Sequence, residues 1–113
     1  MKSINTFCIT LLIAALPLVA LVANAKGNAE EGKKKAITCA ACHGEGGAKP
    51  ILPEYPVLAG QHEDYLVAVL NQYKSGKRQN AIMKGLAAAL SPQDIRDLAA
   101  YFSKEKSNLR MKY

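Results

Sequence analysis

The chain has 113 residues, a length that favours one domain, with 15 Lys or Arg against 9 Asp or Glu and a net charge of +6. The basic residues collect in Lys33–Lys35, in the Lys74–Arg78 stretch and in the tail from Lys104 to Lys112. No aromatic side chains are interleaved with these charges, which argues against a nucleic-acid-binding surface. Such clusters are usually solvated helix faces, and they are also suited to steering an acidic partner protein.

The first 25 residues are typical of a secretory signal peptide. Lys2 precedes an apolar segment, Phe7–Ala23, and Ala23-Asn24-Ala25 forms a small-x-small cleavage site. We expect cleavage after Ala25, which removes Cys8 and leaves a mature domain of residues 26–113 in the periplasm. An uncleaved membrane anchor is the alternative, but the apolar segment is shorter than the roughly 20 residues that a spanning helix needs.

The mature part is predicted to be all-α. A short helix is expected over residues 29–41, whereas residues 44–60 contain four glycines and three prolines and should form an irregular loop. Apolar residues recur at helical spacing over residues 62–75, and Gly76 should end that helix. Another helical piece is expected over residues 81–90.

The last predicted helix has the strongest start signal. Ser91 is the expected N-cap, Pro92 takes the first helical position, and Asp94 lies three residues after the cap. The buried stripe of this helix should contain Ile95, Leu98, Ala99 and Phe102. The periodicity fades after Lys104, so the tail should be loose.

One motif carries the chemistry. Cys39-Ala40-Ala41-Cys42-His43 is the spacing at which c-type haem is attached. Two thiols on one helical turn are placed to bond the same edge of a porphyrin, and the next residue then offers an imidazole to the iron. The motif therefore predicts one covalently bound haem c on Cys39 and Cys42, with His43 as an axial iron ligand.

Three other interpretations of the two cysteines are weaker. A Cys39–Cys42 disulfide is possible in an oxidising compartment. A thioredoxin-like redox pair needs a βαβ pattern, which the sequence does not show. A zinc site needs about four ligands, and only His43 and the distant His62 are available to join the two thiols.

The second axial iron ligand is predicted to be Met83. Only Met83 and Met111 remain after the leader is removed, and Met111 lies in the loose tail. Met83 follows the Gly76–Asn80 turn and precedes a helix that would pack over the ring, and a thioether ligand raises the reduction potential of the iron. His62 is expected at the exposed start of a helix.

Three segments in order along the chain carry a family resemblance. The opening is Gly32-Lys33-Lys34-Lys35-Ala36-Ile37-Thr38-Cys39-Ala40-Ala41-Cys42-His43-Gly44. The middle signature is Pro56-Val57-Leu58-Ala59-Gly60-Gln61-His62, and the ending contains Met83, Leu90-Ser91-Pro92 and Leu98-Ala99-Ala100-Tyr101-Phe102. From Gly32 to Phe102 the chain thus resembles bacterial class I cytochromes c, closest to the monohaem c553/c5 group and to one half of the dihaem cytochrome c4.

The resemblance implies a class I cytochrome c fold, a few helices around one haem, with His43 and Met83 as axial ligands. It also implies that the carbonyl of Pro56 accepts the second imidazole N–H of His43, and that Gly32 and the Tyr101–Phe102 pair let the first and last helices cross closely. One departure is Ala81, because many relatives have proline two residues before the ligand methionine.

The expected function is electron transport in the periplasm by an electron carrier that is not an enzyme. Its expected partners are a membrane-bound donor complex and a terminal oxidase or reductase, so contact with the membrane would be through partners alone. The alternatives are a haem c subunit of a periplasmic dehydrogenase or oxidase complex, and a ligand-binding or sensor cytochrome with five-coordinate iron. The sensor class typically has its attachment motif near the C-terminus, whereas here it lies near the mature N-terminus.

Overall fold

The computed structural model describes residues 25–107 together with Leu109. Within these residues the regular elements are five α-helices and a short 3₁₀ turn at Glu45–Gly47, which confirms the all-α prediction. The helices are α1 (Ala29–Lys35), α2 (Ile37–His43), α3 (Glu63–Ser75), α4 (Ala81–Ala88) and α5 (Pro92–Lys104). None of the helices in this part of the chain is long and apolar enough to cross a bilayer. The predicted leader up to Asn24 lies outside the described residues.

The predicted helix over residues 29–41 is two short helices joined at Ala36. Ala36 keeps right-handed dihedral angles, with φ −70° and ψ −8°. Its N–H donates to the carbonyl of Gly32 at 2.9 Å, and its own carbonyl accepts from Ala40 at 3.0 Å. The helical path therefore continues through the join and ends at His43, two residues later than expected.

Helices α1 and α5 cross at Gly32, as the resemblance implies. A Cβ atom at Gly32 would clash with the backbone carbonyl of Asp97 and would lie 2.8 Å from the Cβ of Tyr101. Phe102 packs against Tyr101, with ring centroids 5.0 Å apart, and is 4% exposed. The core at this crossing consists of Ala36, Leu66, Leu98, Ala99, Tyr101 and Phe102.

A buried carboxylate joins the two ends of α1 to α5. Asp97 is 2% exposed, and its oxygens accept from the N–H of Asn28 at 2.8 Å and from Gln93 at 2.7 Å. Lys35 donates to Asp97 at 2.6 Å and also pairs with Asp94 at 2.8 Å. Burial acts to raise the pKa of Asp97, but the hydrogen bonds from Lys35, Asn28 and Gln93 outweigh it and lower that pKa.

The remaining helices begin and end close to the predicted residues. Gly76, with φ +78°, ends α3 in the left-handed conformation. Helix α4 stops at Ala88, two residues earlier than expected, because Leu90 turns back to the carbonyl of Ala87. Helix α5 has the predicted capping box, in which the Asp94 carboxylate accepts from the Ser91 N–H at 2.8 Å and the Ser91 hydroxyl accepts from the Asp94 N–H at 3.1 Å.

Candidate cofactor site

Helix α2 brings both cysteines and His43 to its last two turns. Cys39 and Cys42 are half-buried free thiols, so the described chain contains no disulfide between them. His43 is the last residue of α2 and is 7% exposed. Gly44 ends the helix with φ +79°, and a Cβ atom there would clash with the carbonyl of Lys49. This glycine therefore lets the chain fold back directly beneath the histidine.

The imidazole of His43 is oriented by a backbone carbonyl. Its Nδ1 atom lies 2.8 Å from the carbonyl oxygen of Pro56. A carbonyl only accepts, so Nδ1 carries the proton and the neutral ring has its lone pair on Nε2. That is the tautomer that binds a metal through Nε2, with the second ring nitrogen fixed by an acceptor. The bond that the resemblance implied is confirmed.

The loop after α2 is anchored at several points on that helix and on the 3₁₀ turn. Ile51 donates its N–H to the carbonyl of Cys42 at 3.0 Å. Leu58 and Ala59 both donate to the carbonyl of Gly47, at 2.8 and 3.1 Å. The ring of Tyr55 lies beside that of His43, with centroids 6.2 Å apart. These contacts hold Pro56 in place, so the irregular segment has a defined shape that positions the Pro56 carbonyl against His43.

Cys39 lies in a partly buried environment that favours the neutral thiol over the thiolate. Burial is the main cause that raises its pKa, and the neighbouring Cys42 adds to the effect. Redox-active and metal-binding cysteines usually have lowered pKa values instead. Within residues 25–107 no three His, Cys, Asp or Glu side chains are grouped to hold a metal ion, and the elements are all helical. The described elements contain no βαβ unit of the kind that a thioredoxin-like pair needs.

Met83 lies at the third position of α4. The side chain of Asn80, the N-cap, accepts from the N–H of Met83 at 2.9 Å. The Met83 side chain is half-buried, and Ala87, one turn further on, is completely buried. The backbone of the candidate ligand is thus fixed by the side chain of the N-cap residue.

The exposed apolar side chains fit a large apolar group. Four of them come from the loop and from α4: Ile51 at 63%, Leu52 at 42%, Ile82 at 60% and Leu86 at 41% exposure. Helix α4 packs on α3, and α2 packs on α1 and the 3₁₀ turn, whereas no extensive contact joins α2 to α4 in the described part of the chain. A porphyrin would supply the apolar surface that these side chains lack.

Two further candidate ligands were weighed in the sequence, His62 and Met111. His62 is the exposed N-cap residue of α3, as predicted. Met111 lies outside the described residues. The sequence analysis did not identify Tyr55, which lies beside His43, or Asn80, which caps Met83. Nothing in the sequence marks Tyr55, but an asparagine directly before a helix start is a recognisable N-cap.

Comparison with known proteins agrees with this geometry. The family model for cytochrome c matches residues 29–105. Cytochrome c4 of Pseudomonas aeruginosa is 44% identical over 107 residues, which cover 95% of this chain and 52% of that protein. A protein of Thiomonas intermedia named thiosulfate dehydrogenase electron acceptor is 39% identical over 95 residues, covering 84% of this chain and 44% of its own.

A solved structure shares the fold. The crystal structure of reduced cytochrome c4 from Pseudomonas stutzeri superposes with a TM-score of 0.68 at 39% identity, covering 74% of this chain and 48% of that one. The chain spans about half the length of the curated relatives it matches. The class I fold and the likeness to one half of cytochrome c4 are therefore both confirmed.

Proposed function

Since this chain belongs to the cytochrome c family, we propose that it carries single electrons through one haem c. Cys39 and Cys42 would hold the haem covalently, and His43 and Met83 would be the axial ligands of its iron. The observation that carries the proposal is the end of α2, where two free half-buried thiols precede a histidine whose Nδ1 is bonded to Pro56. One attachment motif in the sequence supports a count of one haem.

The residues around the site each have a defined task. Pro56 keeps a proton of His43 on Nδ1, so that Nε2 would be the nitrogen available to bind the iron. Asn80 fixes the backbone of Met83, and the exposed apolar side chains of the loop and α4 would be available to pack on the haem. When bound, a haem iron with His and Met ligands exchanges single electrons and has no open position for a substrate.

The location and the partners are part of the same proposal. The leader ending at Ala25 supports export to the periplasm. The partners would be a membrane-bound donor complex and a terminal oxidase or reductase. A second candidate is a haem c subunit or dedicated acceptor of a periplasmic dehydrogenase, which is favoured by similarity to the thiosulfate dehydrogenase electron acceptor of Thiomonas intermedia.

The test is to export the full chain together with haem-maturation machinery and to record absorption and mass spectra. One haem per chain should stay attached after denaturation, and Cys39→Ser/Cys42→Ser should lose the covalent haem. Haem that is extracted by acidified organic solvent, or a Cys39–Cys42 disulfide in the exported protein, would contradict the proposal. Co-purification with a dehydrogenase subunit would favour the second candidate over a free carrier.

A further inference from the structure

The segment that follows helix α5 lies across both ends of the loop that carries Pro56. Helix α5 ends at Lys104, and Glu105 leads the chain into an extended path, with φ −70° and ψ 145°. We call residues 105–107 the strap. The sequence predicts a loose tail here, but Glu105 and Ser107 are half-buried. The start of the tail is therefore packed against the protein.

The strap contacts the start of the loop at Gly46. An oxygen of the Glu105 carboxylate lies 2.8 Å from the place where a Cβ atom of Gly46 would be. Gly46 is the middle residue of the 3₁₀ turn, which follows His43 and Gly44 in the chain. The carboxylate thus covers the turn on which the loop begins, and a side chain at position 46 would meet the strap.

The strap contacts the end of the loop at Gly60. The Cβ atom of Ser107 lies 2.5 Å from where a Cβ atom of Gly60 would be, and the carbonyl oxygen of Glu105 lies 3.5 Å from the same point. The N–H of Gly60 donates to the carbonyl of Phe102, in the last turn of α5, at 2.9 Å. The end of the loop is therefore held by the last turn of α5 and by the strap together.

The two ends of the loop are also bonded to each other. The carbonyl of Gly47 accepts from the N–H groups of Leu58 and Ala59, at 2.8 and 3.1 Å. Pro56, whose carbonyl accepts from His43, lies only two residues before Leu58. A displacement of the strap would therefore reach the bond between His43 and Pro56 through a few short backbone contacts.

The bond to Nδ1 affects the chemistry of the opposite ring nitrogen. A hydrogen bond from Nδ1–H to a carbonyl makes the imidazole a stronger donor to a metal at Nε2, and a stronger donor favours ferric over ferrous iron. On the basis of the proposed function, we propose that the strap is a positioning element for His43. Glu105 and Ser107 hold the loop so that the Pro56 carbonyl stays on Nδ1, and the strap thereby lowers the reduction potential of the haem iron.

The test compares two truncated holoproteins of equal net charge. Removal of residues 108–113 deletes two cations and keeps the strap. Removal of residues 105–113 also deletes the strap, but the charges of Glu105 and Lys106 cancel, so the net charge is the same. Met111 is absent from both proteins, so it cannot cause a difference between them.

Hydrogen exchange followed by NMR is the first measurement. Without the strap, the Nδ1–H of His43 and the amide of Leu58 should exchange about tenfold faster than in the protein that keeps it. The amide of Ala99, in the core of α5, should change by no more than about twofold. Equal exchange in the two proteins, or an equal increase at Leu58 and Ala99, would overturn the proposal, because a general loss of stability affects both amides alike.

Redox titration is the second measurement. Loss of the strap should shift the equilibrium about threefold toward the ferrous form, which is about 30 mV at 59 mV per tenfold change. Equal potentials in the two truncated holoproteins would overturn the assigned role in setting the potential.

A rescue pair keeps the test decisive if the longer truncation does not fold. Gly60→Ala places a methyl group against the Cβ atom of Ser107 and also strains a backbone with φ +73°. Ser107→Gly in the same chain removes the contact and leaves the strain, so the difference between the single and the double variant reports the strap alone. The double variant should recover most of the slow exchange of the His43 Nδ1–H, and no recovery would overturn the proposal. Failure of the proposed function is seen separately as a missing haem spectrum, since hydrogen exchange needs no haem.

Discussion

The carbonyl oxygen of Pro56 lies 2.8 Å from Nδ1 of His43, 13 residues earlier in the chain. This bond connects the end of a regular helix to the middle of an irregular loop. Proline restricts φ to about −65°, which helps to direct the carbonyl at residue 56. The loop therefore acts as the support for the histidine, and its glycines and prolines give it the turns that this requires.

Pro56→Ala should keep the site while loosening the loop. The acceptor is a backbone carbonyl, which alanine also has, so the absorption spectrum of the holoprotein should be unchanged. The free energy of unfolding should fall by about 0.4–1 kcal/mol, because the unfolded chain gains conformational freedom. The absorption spectrum of the folded holoprotein reports the axial ligation, and guanidinium denaturation followed by absorbance measures the free energy of unfolding. A changed axial ligation in this variant would show that the proline ring itself, and not the carbonyl, is needed.

Gly32→Ala should weaken the crossing of α1 and α5. The added methyl would clash with the carbonyl of Asp97, and backbone cannot give way as a side chain can. We expect a loss of about 2–3 kcal/mol, measured by denaturation of the holoprotein. Gly85→Ala in α4 is the matched control, because a Cβ atom there meets no protein atom within 4 Å. It should be neutral or stabilise by up to about 1 kcal/mol, and equal losses in both variants would contradict the close crossing.

Asp97 should make the stability sensitive to acid. Its pKa is lowered in the folded protein, as is that of Asp94, whose main cause is the hydrogen bond from Lys35. A lowered carboxyl pKa stabilises the fold above the unfolded value of about 3.9, and this contribution is lost as the pH falls through the folded pKa. The free energy of unfolding should therefore be steady above about pH 5 and fall below about pH 4.

Asp97→Asn tests the origin of that acid sensitivity. The variant should lose about 2 kcal/mol at pH 7, since Lys35 and the N–H of Asn28 lose a charged acceptor. Its decline below about pH 4 should also be shallower, because Asp94 is then the one carboxylate of this pair whose lowered pKa still contributes. Lys34→Gln is the control, since it breaks an exposed pair and should leave the pH profile unchanged. If the Asp97→Asn variant had the free energy of unfolding and the pH dependence of the wild type, Asp97 would not be the source of the acid sensitivity.

The local features of the fold could be read from the sequence, and the long-range ones could not. Ser91, Pro92 and Asp94 predict the start of α5 because a capping box is a contact between residues three apart. Asp97 gave no such signal, since its partners Lys35 and Asn28 lie 62 and 69 residues away. The join between α1 and α2 at Ala36 likewise has no Gly or Pro that could mark it in the sequence. Lys35 likewise looked like part of a solvated basic run, and only the fold brings it to two carboxylates.

The same division applies to the candidate site. Cys39, Cys42 and His43 are adjacent in the chain, so the motif alone assigns their chemistry. The bond from His43 to Pro56 was expected only from the resemblance, because nothing in the spacing points to that carbonyl. The structure shows the bond between His43 and Pro56, and it shows that the Asn80 side chain caps the backbone of Met83. The roles of the two cysteines and of both axial ligands stay predictions that the experiments here test.

The leader should be removed after Ala25. The residues just after Ala25 belong to the folded domain, since the carbonyl of Lys26 accepts from Gln93 at 3.2 Å and the N–H of Asn28 donates to Asp97. The prediction of the cut itself rests on the small-x-small sequence Ala23-Asn24-Ala25. N-terminal sequencing of periplasmic protein should begin at Lys26. A protein that begins at Met1 or Lys2 and fractionates with the membrane would be an anchored cytochrome instead.

Met83→Ala should open the distal iron position. With its thioether removed, the ferric protein should become high-spin or recruit water, bind carbon monoxide readily once reduced, and fall in reduction potential, within the roughly 0.8 V range that axial ligands set. His62→Ala and Met111→Ala are the controls and should leave the spectrum and potential unchanged, since His62 is an exposed helix cap. Asn80→Ala provides an intermediate case, because it removes only the cap on the Met83 backbone. It should weaken the bond between the Met83 thioether and the iron without abolishing it. If Met83→Ala kept the wild-type spectrum while His62→Ala changed it, the site would be bis-histidine, and attachment through Cys39 and Cys42 would still stand.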